Sequence, residues 1–122
     1  MTARFAATFA ALSAAIAVAA GAFGAHALRA RLTEQDLATW ETAARYQIYH
    51  ALALLFVSRM LARGIEGTSL AGWGFVVGTV VFSGSLYLLV LLDQRWLGAV
   101  TPIGGVAFIA GWLALAVAMA RH

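Results

Sequence analysis

Tyr46, Tyr49 and His50 are spaced by three and four residues, and Gln47 lies three residues before His50. On a helix such positions share one face. Two phenols, an imidazole and a carboxamide on one surface could relay a proton, hold a small polar solute or build a hydrogen-bond network. Ser83, Ser85 and Tyr87 form a second polar run, Thr101 precedes Pro102, and His26 closes the first long apolar stretch. Chemistry beyond hydrogen bonding is hard to assemble from these groups. Ser85, His50 and Asp93 could be drawn as nucleophile, base and orienting acid, but no nucleophile-elbow signature surrounds the serine. A metal at His26 and His50 would need further ligands, and only Glu41 and Asp93, at the rim of the apolar stretches, are at hand. The chain has no cysteine and no lysine. That removes thiolate chemistry and the lysine of a phosphate-binding loop. No catalytic residue, metal or cofactor is expected.

The elements that must position these residues are long apolar runs. Hydrophobic types make up 63% of the 122 residues and charged types 11%, against about 25% charged in a soluble domain. A water-facing surface cannot be built from this composition. Four runs, of about 5–25, 43–61, 70–92 and 97–120, reach the roughly 20 residues that a helix needs to cross ~30 Å of hydrocarbon. They are too continuously apolar for barrel strands, which alternate. The expected fold is all-α: one domain over 1–122, a four-helix transmembrane bundle with a short interfacial amphipathic helix before the second span. For that short helix Thr33 is the N-cap, with Asp36 at the third helical position, and Glu41 and Arg45 form an i,i+4 pair. Thr68 or Ser69 is expected to cap the third span. Met1–Arg4 followed by alanine-rich sequence also resembles a secretory signal, but the three later runs are spans in either case, and the first is read as one too.

Alternate spans run in opposite directions. His26, the 46–50 group, Ser83, Ser85, Tyr87 and Thr101 therefore fall at similar depth, the deeper members roughly 7–13 Å below one interface. Depth leaves two readings open: a satisfied network that fixes helix register, or a polar site. No carboxylate lies deep enough to hold His50 as a cation, so it is expected neutral. Helix contacts in lipid rest on close backbone approach. Ala17, Gly21 and Ala25 give a small-residue ridge on the first span, Gly74 and Gly78 a second, and Ala107 and Gly111 a third. Gly84, Gly104 and Gly105 are further packing positions, with Gly104-Gly105 admitting another backbone. One of these ridges could face a second copy. All eight basic residues are arginines scattered singly or in pairs, which does not make a nucleic-acid surface. Four of them fall on each side of the expected bundle. The α-amino group tips the count toward termini in the cytoplasm.

Gly21-Ala22-Phe23-Gly24-Ala25-His26, Trp40-Glu41-Thr42-Ala43 and Tyr46-Gln47-Ile48-Tyr49-His50-Ala51-Leu52-Ala53-Leu54-Leu55 form a composite motif. It continues in Phe82-Ser83-Gly84-Ser85-Leu86-Tyr87, in Leu97-Gly98 and in Thr101-Pro102-Ile103-Gly104-Gly105. The motif resembles, over nearly the whole chain, the small membrane proteins grouped as domain of unknown function 423, among them homologues of transmembrane protein 256. The resemblance implies a four-span protein of a bacterial inner (cytoplasmic) membrane or an organelle membrane, and supplies no reaction, substrate or cofactor. The leading expectation is a non-enzymatic accessory or assembly subunit, or a homo-oligomer, whose partners are the bilayer and other membrane chains. The alternative is a small-solute, lipid or proton pathway on the one-leaflet polar cluster. An enzyme acting on lipids would need a nucleophile or metal that the sequence does not offer.

Overall fold

The computed structural model describes all residues from Met1 to His122 and contains four long helices and no strand. Helix α1 (Ala3–Leu28), α3 (Thr68–Leu92) and α4 (Arg95–Ala120) are each long and apolar enough to cross a membrane. Helix α2 (Glu34–Ala62) carries Arg45 and Arg59 and a polar first third, and does not meet that standard by composition alone.

No separate amphipathic helix precedes α2, contrary to the expectation from sequence. Residues 34–62 contain no glycine or proline to break them, so the polar turns continue into the apolar ones as one 29-residue helix. Its start is as expected: Thr33 Oγ1 accepts the backbone N–H of Asp36 at 3.1 Å. Neither Thr68 nor Ser69 caps α3. Gly67 takes that position with a φ of 87°, which only glycine adopts without strain. Thr68 donates back to the Ile65 carbonyl, and Ser69 Oγ accepts from the Met1 amine. Glu41 and Arg45 make no ion pair. The ion pairs of the chain are those of Arg95 with Asp36 and Asp93.

Helix α1 packs along α2, α4 along α3, and the two hairpins join through α2 and α3. Gly74 lies against the α4 backbone, where an added Cβ would stand 2.7 Å from Gly111 Cα. A Cβ on Gly78 would strike the Phe108 ring, one on Gly104 the backbone of Phe82, and one on Gly111 the Phe75 ring at 2.9 Å. These glycines serve contacts between α3 and α4 within one chain. Gly21 faces Ala44 of α2, and Ala25 is buried beside Trp40. Within the chain Gly84 meets nothing within 4 Å, and Gly105 has only the Phe82 ring at 3.9 Å. Large apolar side chains such as Leu12, Ile16, Phe23, Ile103 and Leu113 point outward, the arrangement of a bundle solvated by lipid.

Two helices contain π turns, at Ala19–Gly24 in α1 and Thr79–Ser83 in α3. In each, a backbone N–H reaches five residues back, from Ala25 to Ala20 and from Gly84 to Thr79. Both turns lie beside the polar side chains.

Candidate functional site

Gln47 is the centre of the polar network. It is buried on the face of α2 between α1 and α3. Its Nε2 donates to Ser13 Oγ of α1 at 3.2 Å, and its Oε1 accepts the Tyr87 hydroxyl of α3 at 2.7 Å. One carboxamide thus ties three helices. Tyr87 is held edge-on by the Trp40 ring, with centroids 4.7 Å apart. Trp40 donates its indole N–H to the Ala20 carbonyl at 2.8 Å. That carbonyl belongs to the first π turn, and Gly24 makes the approach possible, because a Cβ there would lie 3.0 Å from the indole ring. Ser83, at the end of the second π turn, donates to the Ala43 carbonyl at 2.8 Å.

His50 occupies an aromatic enclosure on the other side of α2. Its ring stacks on Phe108 at 3.5 Å and 9°, with Phe75 at 5.6 Å and Trp112 edge-on at 5.9 Å. Nδ1 lies 2.7 Å from the Tyr46 carbonyl, and Nε2 accepts from the Trp112 indole N–H at 3.1 Å. Nearer the helix ends, Ser85 Oγ and Thr101 Oγ1 are 2.6 Å apart, so one hydroxyl donates to the other, and the remaining hydrogen goes to the Phe82 or Leu97 carbonyl, 3.0 and 3.2 Å away. Beyond them Arg95 holds Asp36 through both guanidinium nitrogens, at 2.7 and 3.1 Å, and Asp93 at 2.6 Å. The Arg95 guanidinium holds the Asp36 carboxyl below the usual carboxylate range, outweighing the partial burial that opposes it.

Of the residues singled out from sequence, the structure brings Gln47 and Tyr87 together, and Ser85 and Thr101 together. His50 and Ser83 are buried but bond elsewhere. His26 and Tyr49 are exposed, and Tyr46 contributes its carbonyl and its ring rather than its hydroxyl. These groups do not join into one connected network. The polar groups run as a chain of pairs from Ser13, well inside α1, to Asp36 at the start of α2. The Ser–His–Asp arrangement is not assembled, because Ser85 bonds Thr101, His50 bonds Trp112, and Asp93 bonds Arg95. No three His, Asp or Glu side chains come together as metal ligands. Sequence reading missed Ser13, Trp40 and Trp112 as network members. Ser13 carried one signal, a lone hydroxyl in an alanine-rich run. Tryptophans near the ends of apolar runs commonly anchor a helix at the membrane interface, yet an indole N–H inside a bundle needs an acceptor.

Helices α1 and α3 touch at their starts, where Phe5 lies 5.8 Å from Trp73 and the Met1 amine reaches Ser69. Further along they diverge and leave a lateral groove of about 450 Å³. Phe9, Leu12, Ile16 and Val80 form its walls, and Ser13, Gln47, Thr79, Ser83 and Tyr87 line its floor with their polar atoms almost wholly buried.

The sequence profile described as a protein of unknown function, DUF423, matches residues 20–105. The chain belongs to the DUF423 family. That stretch of the DUF423 chain holds Trp40, Gln47, His50, Ser83, Ser85, Tyr87 and Thr101, while Ser13 and Trp112 lie outside it. A UPF0382 membrane protein of Staphylococcus epidermidis is 49% identical over 108 residues, covering 88% of each chain. UPF0382 membrane protein YwdK of Bacillus subtilis is 43% identical over 114 residues, covering 92% of this chain and 93% of its own. No solved structure is significantly similar to the chain. With these relatives and three membrane-capable helices, the DUF423 chain is a membrane protein of a family whose activity is unknown.

Proposed function

We propose that the chain is a non-enzymatic four-span protein of a bacterial inner membrane, with both termini in the cytoplasm, acting as an accessory subunit or homo-oligomer. The observation that carries this reading is how little lies outside the helices. The connectors are residues 29–33, 63–67 and 93–94, so the lateral surface is almost the whole of what a partner can meet. The internal bonds of Ser85, His50 and Asp93 support a non-enzymatic role, since each candidate catalytic group is already engaged by another side chain. A fourth span in α2 is supported by its position between α1 and α3, which shields much of its length from lipid. Its 29 residues extend ~43 Å, more than the ~30 Å of hydrocarbon, so the polar first turns can lie at the interface.

Native mass spectrometry from nanodiscs tests the assembly role. The expected result is a dimer or larger species, or a stoichiometric partner chain. A strict monomer that retains nothing under mild extraction overturns it. Because the chain has no cysteine, Glu66→Cys and Gln35→Cys give clean topology probes. Only the Gln35→Cys protein is expected to react with an impermeant maleimide added from the periplasmic side, and the reverse labelling would invert the orientation.

A further inference from the structure

We infer that the groove between α1 and α3 is a binding site for a neutral lipid that carries hydrogen-bond acceptors and no donors, of the prenyl quinone class. The inference goes beyond the reading of the chain as an assembly subunit and shares with it only the placement of α1 and α3 in the bilayer. It rests on the donor and acceptor balance of the groove floor. The Tyr87 hydroxyl is used by Gln47 Oε1, and the Ser83 hydroxyl by the Ala43 carbonyl. Gln47 Nε2 has two hydrogens and gives one to Ser13 Oγ. That leaves the second amide hydrogen, the Ser13 hydroxyl hydrogen and the Thr79 hydroxyl, which bonds no other group of the chain. All three residues line the groove. The floor therefore has donors to spare, buried at the base of a groove whose accessible lining is almost wholly apolar. A phospholipid tail would fill the walls and leave the donors unmatched, which is unfavourable where water is absent. An acceptor-only head satisfies them.

Depth separates the candidate lipids. Counted from the helix ends on the side of the termini, Ser13 and Thr79 lie roughly 15–17 Å up, near the middle of a ~30 Å hydrocarbon core, and Gln47 roughly 22 Å up, about 8 Å inside the opposite boundary. Phospholipid ester carbonyls are tied to the interface by their charged headgroups and do not reach this level. Diacylglycerol and fatty acids bring donors of their own. A quinone ring has two carbonyl acceptors, no donor and no charge, and its prenyl tail matches the Phe9, Leu12, Ile16 and Val80 walls. The proposal concerns binding alone and includes no electron transfer.

The test uses the full chain in phosphatidylcholine nanodiscs, titrated with a short-tailed prenyl benzoquinone and followed through the Gln47 side-chain amide signals in NMR. Saturable shifts are expected. Gly84→Leu places a side chain into the groove at a position with no neighbour within 4 Å. It should abolish the saturable shifts while the melting temperature stays unchanged. Thr79→Val removes one donor without removing any bond within the chain, and should weaken binding roughly three- to tenfold. Equal, non-saturable partitioning into the wild-type and Gly84→Leu proteins overturns the proposal. So does equal binding of diacylglycerol, or of a prenyl hydrocarbon without carbonyls. A change of oligomeric state in Gly84→Leu, with no quinone effect on the wild type, would assign the groove to a second copy instead. Apart from that last outcome, the quinone titration reads the same whether or not the chain is an assembly subunit, which native mass spectrometry reads separately.

Discussion

Trp112 donates its indole N–H to Nε2 of His50 across 3.1 Å, and this bond fixes which imidazole nitrogen carries hydrogen. An indole only donates and a carbonyl only accepts. The bonds to Trp112 and to the Tyr46 carbonyl coexist only in the neutral Nδ1–H tautomer. Ring nitrogen shifts of labelled His50 in nanodiscs should report that tautomer. Trp112→Phe should release the preference and cost about 0.5–1.5 kcal/mol of stability. An Nε2–H signature in the wild type would contradict the geometry.

Gln47→Leu should be among the more damaging single changes at the polar floor. It removes two bonds and strands Tyr87 and Ser13, costing about 1–3 kcal/mol. Tyr87→Phe removes one of the same bonds and should cost less. Because the two share that bond, the double variant should be less destabilised than the sum of the singles. Thermal denaturation in a fixed detergent measures all three, and strict additivity would show that the bond carries no energy.

Substitutions at the glycines should divide by what each faces. Gly104→Ala meets the Phe82 backbone, which cannot rotate away, and should lose about 1–3 kcal/mol. Gly105→Ala should be close to neutral. Comparable melting temperatures for the two would refute the close approach of α3 and α4.

Asp36 should give the fold an acid-sensitive tie. Its carboxyl titrates below the usual range in the folded chain because Arg95 holds the charged form. The unfolded chain binds the proton first as pH falls. The stabilisation is therefore complete above the unfolded value of about 4, and is lost as pH drops through the lower folded value. Asp36→Asn should melt below the wild type at neutral pH, with the gap closing under acid. A gap independent of pH would mean that the carboxylate charge contributes nothing.

The helices were legible because apolar runs of spanning length leave the backbone few alternatives in lipid, and the start at Thr33 lies where the run changes, whereas the cap of α3 fell on Gly67 because a left-handed turn there suits glycine rather than a hydroxyl side chain. The joined pairs were less legible. Ser85 and Thr101 could be placed at one depth from counting alone, but which faces meet depends on helix rotation, and the two π turns alter that rotation in α1 and α3. For the same reason Ser13 escaped notice, although it completes the Gln47 bridge. The separate interfacial helix was misread because a change of polarity looks like a boundary, while the chain has no residue at 34–62 that would break the winding.

The π turn at Ala19–Gly24 makes the distance between Ser13 and Ala25 a matter of phase as well as length. Each α-helical residue advances the azimuth by about 100°, so an extra residue in regular α-helix would turn every later side chain by that angle, and the wider turn absorbs it locally. Deleting any one residue of 19–24 would let the segment relax to regular α-helix. Because the wide turn is an α-helix holding one extra residue, Ala25 would stay close to its present azimuth on α2, while the Ala20 carbonyl would lose the turn that presents it to Trp40. The extra residue thus serves the bridge between α1 and α2 rather than the course of the helix that follows it.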